Sequence, residues 1–232
     1  MKQQDTSSPQ RGQTILQGGL RRPTWISRNM RQNVVLVRDK SGSMSGQKAQ
    51  DASEASLDLV SELAQPINKD GFRVAVVDFS RASEIVQPLE KATLLYGQVH
   101  PLTIGPDSGS TNITAGLQDA LHIIEVTESS AQDGVRYLRP VVICFTDGCH
   151  NTGPDPRSVA QQLKQHADLV TVAFGTDADE GLLRDLASTT QHCYRCANGR
   201  ELRGFLAAVG ATMTATMAAG TNATQALTLV QQ

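Results

Sequence analysis

The chain has 232 residues, a formal net charge of -2 and 19% charged side chains. That length suffices for one large domain with a substantial core, and the charge balance excludes a protein whose whole surface is built to hold nucleic acid. No stretch approaches the about 18–20 apolar residues of a bilayer-spanning helix, and the N-terminus lacks the apolar centre of a secretory signal, so a cytoplasmic protein with no membrane partner is expected.

Residues 1–32 are rich in Gln, Ser, Gly, Pro and Arg, the composition of a flexible arm. Lys2, Arg11, Arg21, Arg22, Arg28 and Arg31 face the single acid Asp5, so the arm is basic, with Trp25-Ile26 as its one strong apolar element. From Asn33 the pattern becomes an alternation of apolar runs and helical stretches. Val34-Val35-Leu36-Val37 reads as a strand covered on both faces, and it stops at Asp39. Residues 45–64 place Ala49, Ala52, Ser56, Leu59, Val60 and Leu63 at helical spacing before Pro66.

A second strand is expected over 72–79 and a third over 84–89, turning back along it after Ser80-Arg81-Ala82. A Pro/Gly-containing segment, 97–112, leads to a helix over 113–127. Strands at 140–145, 169–174 and 191–195 alternate with helices at 157–166, 182–187 and from about 200. Strands alternating with helices predict an α/β fold, a doubly wound and mainly parallel sheet with one antiparallel edge strand and helices on both faces. The domain covers 33–210. Residues 211–232 carry no charged side chain and read equally as a terminal helix, a docking segment or a tail.

In such sheets ligands bind beyond the carboxyl ends of the strands, where Asp39 and Asp147 both fall. Asp39, Ser41 and Ser43 offer three oxygens at alternate positions, and Gly42 eases the turn that would point them inward. Thr111 and Asp147 would complete an oxygen-only set suited to a hard divalent cation. Two of these five side chains are anionic, so a bound ion would keep electrophilic character and a replaceable water. Taken singly, Asp39 and Ser41 read as helix caps and Asp147-Gly148 as a turn; the combination favours a metal site.

The run Asp39-Lys40-Ser41-Gly42-Ser43-Met44-Ser45-Gly46 resembles the D-x-S-x-S metal-ion-dependent adhesion site of von Willebrand factor type A domains. Gly109 to Leu117 is similar to the family's threonine loop, Val142 to Gly148 to its aspartate loop, and 172–187 to its fifth strand and following helix. The resemblance covers about residues 33–210. It implies a Rossmann-like fold that holds Mg2+ or Mn2+ through Asp39, Ser41, Ser43, Thr111 and Asp147, and it implies a partner protein that presents Glu or Asp. Thr114 is the alternative threonine if the loop register differs.

Arg38 departs from the family, which usually continues its apolar strand to the aspartate; it either adds a cation beside the site or points to the opposite face. The Asp-Lys-Ser-Gly-Ser-Met form looks most like intracellular bacterial members, including those of tellurite-resistance and stress gene clusters. Such proteins act beside kinases, phosphatases or ATPases.

Three further readings compete. Cys193-x-x-Cys196, with His192, Cys149 and His150, could hold zinc, although free thiols are the simpler reading of four unevenly spaced cysteines. A metal-dependent phosphoryl-group hydrolase would need a base, for which His150 is the nearby candidate. The basic arm could contact phosphates of a nucleic acid, yet it carries one aromatic and no base-stacking pattern. None of these displaces a non-enzymatic interaction module.

Overall fold

The computed structural model describes residues 29–106 and 108–230. Most of the expected arm, with its Trp25-Ile26 anchor, lies outside the described residues, but Met30, Arg31 and Gln32, expected at the arm's end, belong instead to the first strand because they extend the sheet's pairing.

Strand β1 (Met30–Asp39) leads through a short 3-10 turn, Gly42–Met44, into α1 (Gln47–Leu63). Then come β2 (Phe72–Phe79), the antiparallel β3 (Ser83–Lys91), the single turn α2 (Ala92–Leu95) and the long α3 (Ile113–Ser129). The short β4 (Arg136–Tyr137) precedes β5 (Val141–Thr146), α4 (Pro156–His166), β6 (Asp168–Phe174) and α5 (Glu180–Leu186). The chain closes with β7 (Cys193–Cys196), α6 (Gly199–Ala219) and α7 (Thr224–Leu227).

The sheet order is β3-β2-β1-β5-β6-β7, parallel throughout except for the β2–β3 pair at one edge. This is the Rossmann-like α/β architecture. Strand alternation sorts the core into two layers. Val34 and Leu36 of β1 pack with α1 and α6, whereas Val35 and Val37 pack with α3 and α4. Gly116 lets α3 lie directly on the sheet, because a Cβ there would stand 2.8 Å from Val37 Cγ1 and 2.9 Å from Phe79 Cδ1.

Strand β1 begins four residues before the apolar run that starts at Val34. Its first residues, Met30 and Arg31, pair with Arg136 and Tyr137 of β4. Polar Gln32 is buried in this extension, donating to the Arg139 carbonyl at 2.8 Å.

The charge-free C-terminal residues also pack on the domain. Helix α6 runs on to Ala219 and stops at Gly220 in the left-handed conformation. Ala223 and Leu227 are buried in the α1–α6 layer. The Tyr194 hydroxyl donates to the Leu227 carbonyl, and Thr224 Oγ1 donates to Asp168 Oδ2 at 2.5 Å. Against expectation, α6 is long and apolar enough to cross a membrane, the one such helix among the described residues. Its apolar face, including Leu202, Phe205, Leu206, Val209 and Met213, belongs to the core, so here it serves as a covering helix.

Candidate metal centre

Strands β1 and β5 are neighbours in register, with Arg38 opposite Phe145, so the residues that follow both strands emerge side by side at one sheet edge. Asp39, at 0% exposure, turns its carboxylate along that edge. Its Oδ1 accepts the Ser41 N–H at 2.7 Å, which closes the turn, and its Oδ2 accepts the Thr146 hydroxyl. Ser41 Oγ and Ser43 Oγ stand 3.1 Å apart, and Ser43 Oγ donates to Asp147 Oδ1 at 2.6 Å across 104 positions of chain. The two motifs therefore meet through their side chains.

Thr111 reaches the same place by different means. Its N–H donates to Asn151 Oδ1 at 2.9 Å, its carbonyl accepts the Asn151 N–H at 3.1 Å, and Asn112 N donates to the Ser80 carbonyl at 2.7 Å. The threonine loop is thus strapped to the loops after β5 and β2. Gly148 lies under the Thr111 hydroxyl: a Cβ added there would stand 3.3 Å from Thr111 Oγ1 and 3.8 Å from Ser43 Oγ. The absence of a side chain at 148 leaves the space in which the Thr111 and Ser43 oxygens converge. Gly42 N donates to the Ser108 carbonyl at 2.6 Å, tying the serine turn to the segment that precedes the threonine.

The five residues named from sequence are consequently brought to one edge. Thr114 is committed elsewhere, its hydroxyl donating to the Pro154 carbonyl at 2.5 Å. Burial pushes the Asp39 carboxyl up to about 6, against the lowering effect of the Thr146 and Ser41 hydrogen bonds; the nearby Asp147 charge adds to the rise. A buried acid in this condition gains from a cation at its oxygens. The donors are all oxygen, two carboxylates and three hydroxyls, and among the described residues no three His, Cys, Asp or Glu side chains converge. That set fits a hard divalent ion and is a poor match for a thiolate or imidazole site.

Arg38 points away from the centre. It is 0% exposed and lies in the α1 layer, where its Nε and Nη2 donate to the two oxygens of Asp78 at 2.7 and 3.0 Å and its Nη1 to Ser56 Oγ at 3.4 Å. Asp78 is its direct partner in the β1–β2 register. The His150 ring accepts the Ile113 N–H on Nδ1 at 3.2 Å, which commits that nitrogen to the start of α3 and makes it unavailable as a base. Cys193 and Cys196 are three residues apart on β7 and so face opposite sides of the sheet, Cys196 in the α1–α6 layer and Cys193 against the other. They do not form a chelating pair.

Two members of the site were missed in the sequence. Thr146 falls within the aspartate loop, just past the expected strand and with no role assigned to it, yet its hydroxyl holds Asp39. Lys48 carries no role in the sequence pattern, yet its ammonium lies on Asp147 Oδ2. The one available signal for Lys48 was its place in the first helical turn, where a cation opposes the helix dipole.

A Rossmann-like sheet with an oxygen-rich centre at its carboxyl edge defines the class of the molecule. Residues 33–208 match the von Willebrand factor type A domain, and the chain belongs to that family. Among curated proteins it is 29% identical over 174 residues to human inter-alpha-trypsin inhibitor heavy chain H4, an alignment covering 68% of this chain and 17% of that one.

Among solved structures, the proximal thread matrix protein 1 of the mussel byssus with a zinc-occupied adhesion motif is 20% identical, with a TM-score of 0.62, covering 77% of this chain and 46% of the other. A von Willebrand factor type A protein from Catenulispora acidiphila is 21% identical with a TM-score of 0.62, over 80% of this chain and 43% of that one. The corresponding domain of a type V pilus tip protein from Porphyromonas gingivalis is 13% identical with a TM-score of 0.64, over 82% of this chain and 97% of the other. The chain thus spans a small part of its curated relative and under half of two of these structures. Domains of this family are generally interaction modules that bind a divalent metal at the adhesion site, rather than enzymes.

Proposed function

We propose that this domain binds a protein partner through Mg2+ or Mn2+ held by Asp39, Ser41, Ser43, Thr111 and Asp147, with a Glu or Asp of the partner completing the coordination. The observation that carries the reading is the Ser43–Asp147 hydrogen bond of 2.6 Å, which joins the serine turn to the aspartate loop. When bound, the ion supplies an electrophilic position for a carboxylate. Asp39 contributes the main negative charge, Asp147 holds the opposite side, and the three hydroxyls add neutral oxygen.

A groove of about 710 Å³ runs beside this edge, bordered by Lys40, Arg81 and Glu84 together with Ser80 and Ser108. Its two cations against one acid favour an acidic partner segment, and electrostatic complementarity of this kind contributes specificity. The four cysteines are all free thiols, which supports a reducing, cytoplasmic setting. Partners of the kinase, phosphatase or ATPase type are candidates on the resemblance given above.

The test is calorimetric titration of Mn2+ into wild type and Asp39→Ala, followed by capture from a cell lysate with Mg2+ or with EDTA. Wild type should bind Mn2+ with one site, and Asp39→Ala should lose both the ion and the captured partner while keeping its far-UV spectrum. Equal Mn2+ affinity in the two proteins would refute the reading.

A further inference from the structure

We infer that Lys48 is an internal competitor for the divalent cation, its ammonium holding the Asp147 oxygen that an incoming ion would take. The inference rests on the metal reading above. Of the three cations in and around the serine motif, Arg38 is turned to Asp78, and Lys40 to Glu84 at 3.2 Å. Lys48 alone of the three reaches the centre, donating to Asp147 Oδ2 while Ser43 occupies Oδ1.

The two ends of this ion pair differ in character. The Asp147 side chain is fully buried, at 0% exposure, whereas that of Lys48 is 34% exposed. A buried carboxylate cannot be left uncompensated without a large penalty, and here the compensation comes from a flexible arm with a route to solvent. Lys48 lies one helical turn beyond the serine turn, and its Nζ and Cε pass 3.7 and 3.8 Å from where a Cβ of Gly175, at the end of β6, would stand. Its position in the first turn of α1 opposes the helix dipole, so helix stability gives no reason for a cation there. The contact with Asp147 does.

Two cations cannot share one carboxylate oxygen at contact distance without strong repulsion. Ion capture therefore requires the ammonium to leave, and the free energy of the Lys48–Asp147 pair is subtracted from that of metal binding. The competitor is covalently tethered, so dilution does not remove it. The domain is consequently set to hold its ion more weakly than its oxygen donors alone would allow. Such a setting suits capture that depends on the partner's carboxylate arriving as well.

The experiment compares Mn2+ affinity by calorimetry, and melting temperature with and without Mn2+, for the full-length wild type, Lys48→Gln and Lys48→Arg. Lys48→Gln keeps an N–H donor for Asp147 and removes the charge. It should tighten Mn2+ binding about tenfold or more, within the usual range of coupling between two sites. It should also melt lower than wild type without divalent ion and converge on it when Mn2+ is saturating. Lys48→Arg should stay near wild type.

An unchanged or weaker Mn2+ affinity in Lys48→Gln overturns the inference while leaving the metal site standing, provided wild type binds the ion through Asp39. Binding by Lys48→Gln where wild type shows none supports both. No Mn2+ binding by any of the three removes both. If Lys48→Gln is unfolded without divalent ion, refolding on Mn2+ addition supports the competitor role. Failure to refold at saturating Mn2+ makes the lysine structural and overturns it.

Discussion

Arg38 and Asp78 face one another across adjacent strands, both buried, joined by two hydrogen bonds of 2.7 and 3.0 Å. Each charge is tolerable only because the other is present. Asp78→Ala should therefore cost about 3–5 kcal/mol in urea denaturation, because it strands a buried guanidinium, while Arg38→Met combined with Asp78→Leu should recover most of that loss. The sequence showed Arg38 as an anomaly without resolving it, since the strand pattern leaves open which face a terminal residue takes. Its partner lies 40 positions away and is identified only by strand register.

Four of the five oxygen donors were legible because each sits beside a glycine or just after an apolar run, and the fifth, Thr111, because it lies in the polar loop 109–112 before a helix. Thr146 and Lys48 were not, because their local surroundings give an adequate reason for each without a site. The thiols offer a separate residue-scale check. Burial pushes Cys196 up to about 12 and raises Cys144 and Cys193 as well. Cys149 is exposed. Iodoacetamide at neutral pH should label Cys149 first in the folded protein, with Cys144 and Cys196 reacting only after denaturation, as read by peptide mass spectrometry.

At the scale of elements, α3 carries the threonine loop and is held to the sheet by the close approach at Gly116. Gly116→Val should force α3 off Val37 and Phe79 and cost about 1–3 kcal/mol, measured by denaturant midpoint, because overpacking is relieved only by shifting backbone. The last turn is similarly specific. Leu227→Ala should cost about 2–5 kcal/mol, since Leu227 is buried and its turn is tied to Tyr194 and His192.

Strands and long helices were readable from their periods, and β2 has the bounds the sequence indicates. The pieces that were not foreseen, α2, β4 and α7, contain two to four residues each, too few for any period to register. The start of β1 was hidden for another reason. Gln32 and Asn33 are polar and yet buried; the Arg139 carbonyl partners the Gln32 amide nitrogen, and the strand extends past them because Met30 and Arg31 pair with β4.

For the whole molecule, a ligand that binds only the folded chain must stabilise it. Mn2+ at about a hundred times its dissociation constant should add about 2.7 kcal/mol and raise the melting temperature by about 5–11 °C, as followed by differential scanning fluorimetry. Asp39→Ala should show no such rise. The effect belongs to the molecule as a unit, because the oxygens come from three loops held in place by both layers of core.

Asp147 joins Ser43, 104 positions earlier in the chain, only after β5 has inserted beside β1. No contiguous fragment that ends before β5 can hold the full donor set, however well its helices form. Ion uptake is thus a clock for assembly. In refolding from urea, the Mn2+ signal should lag the helical signal and rise with the slow closure of the sheet's central pair, since contacts so distant in sequence form late.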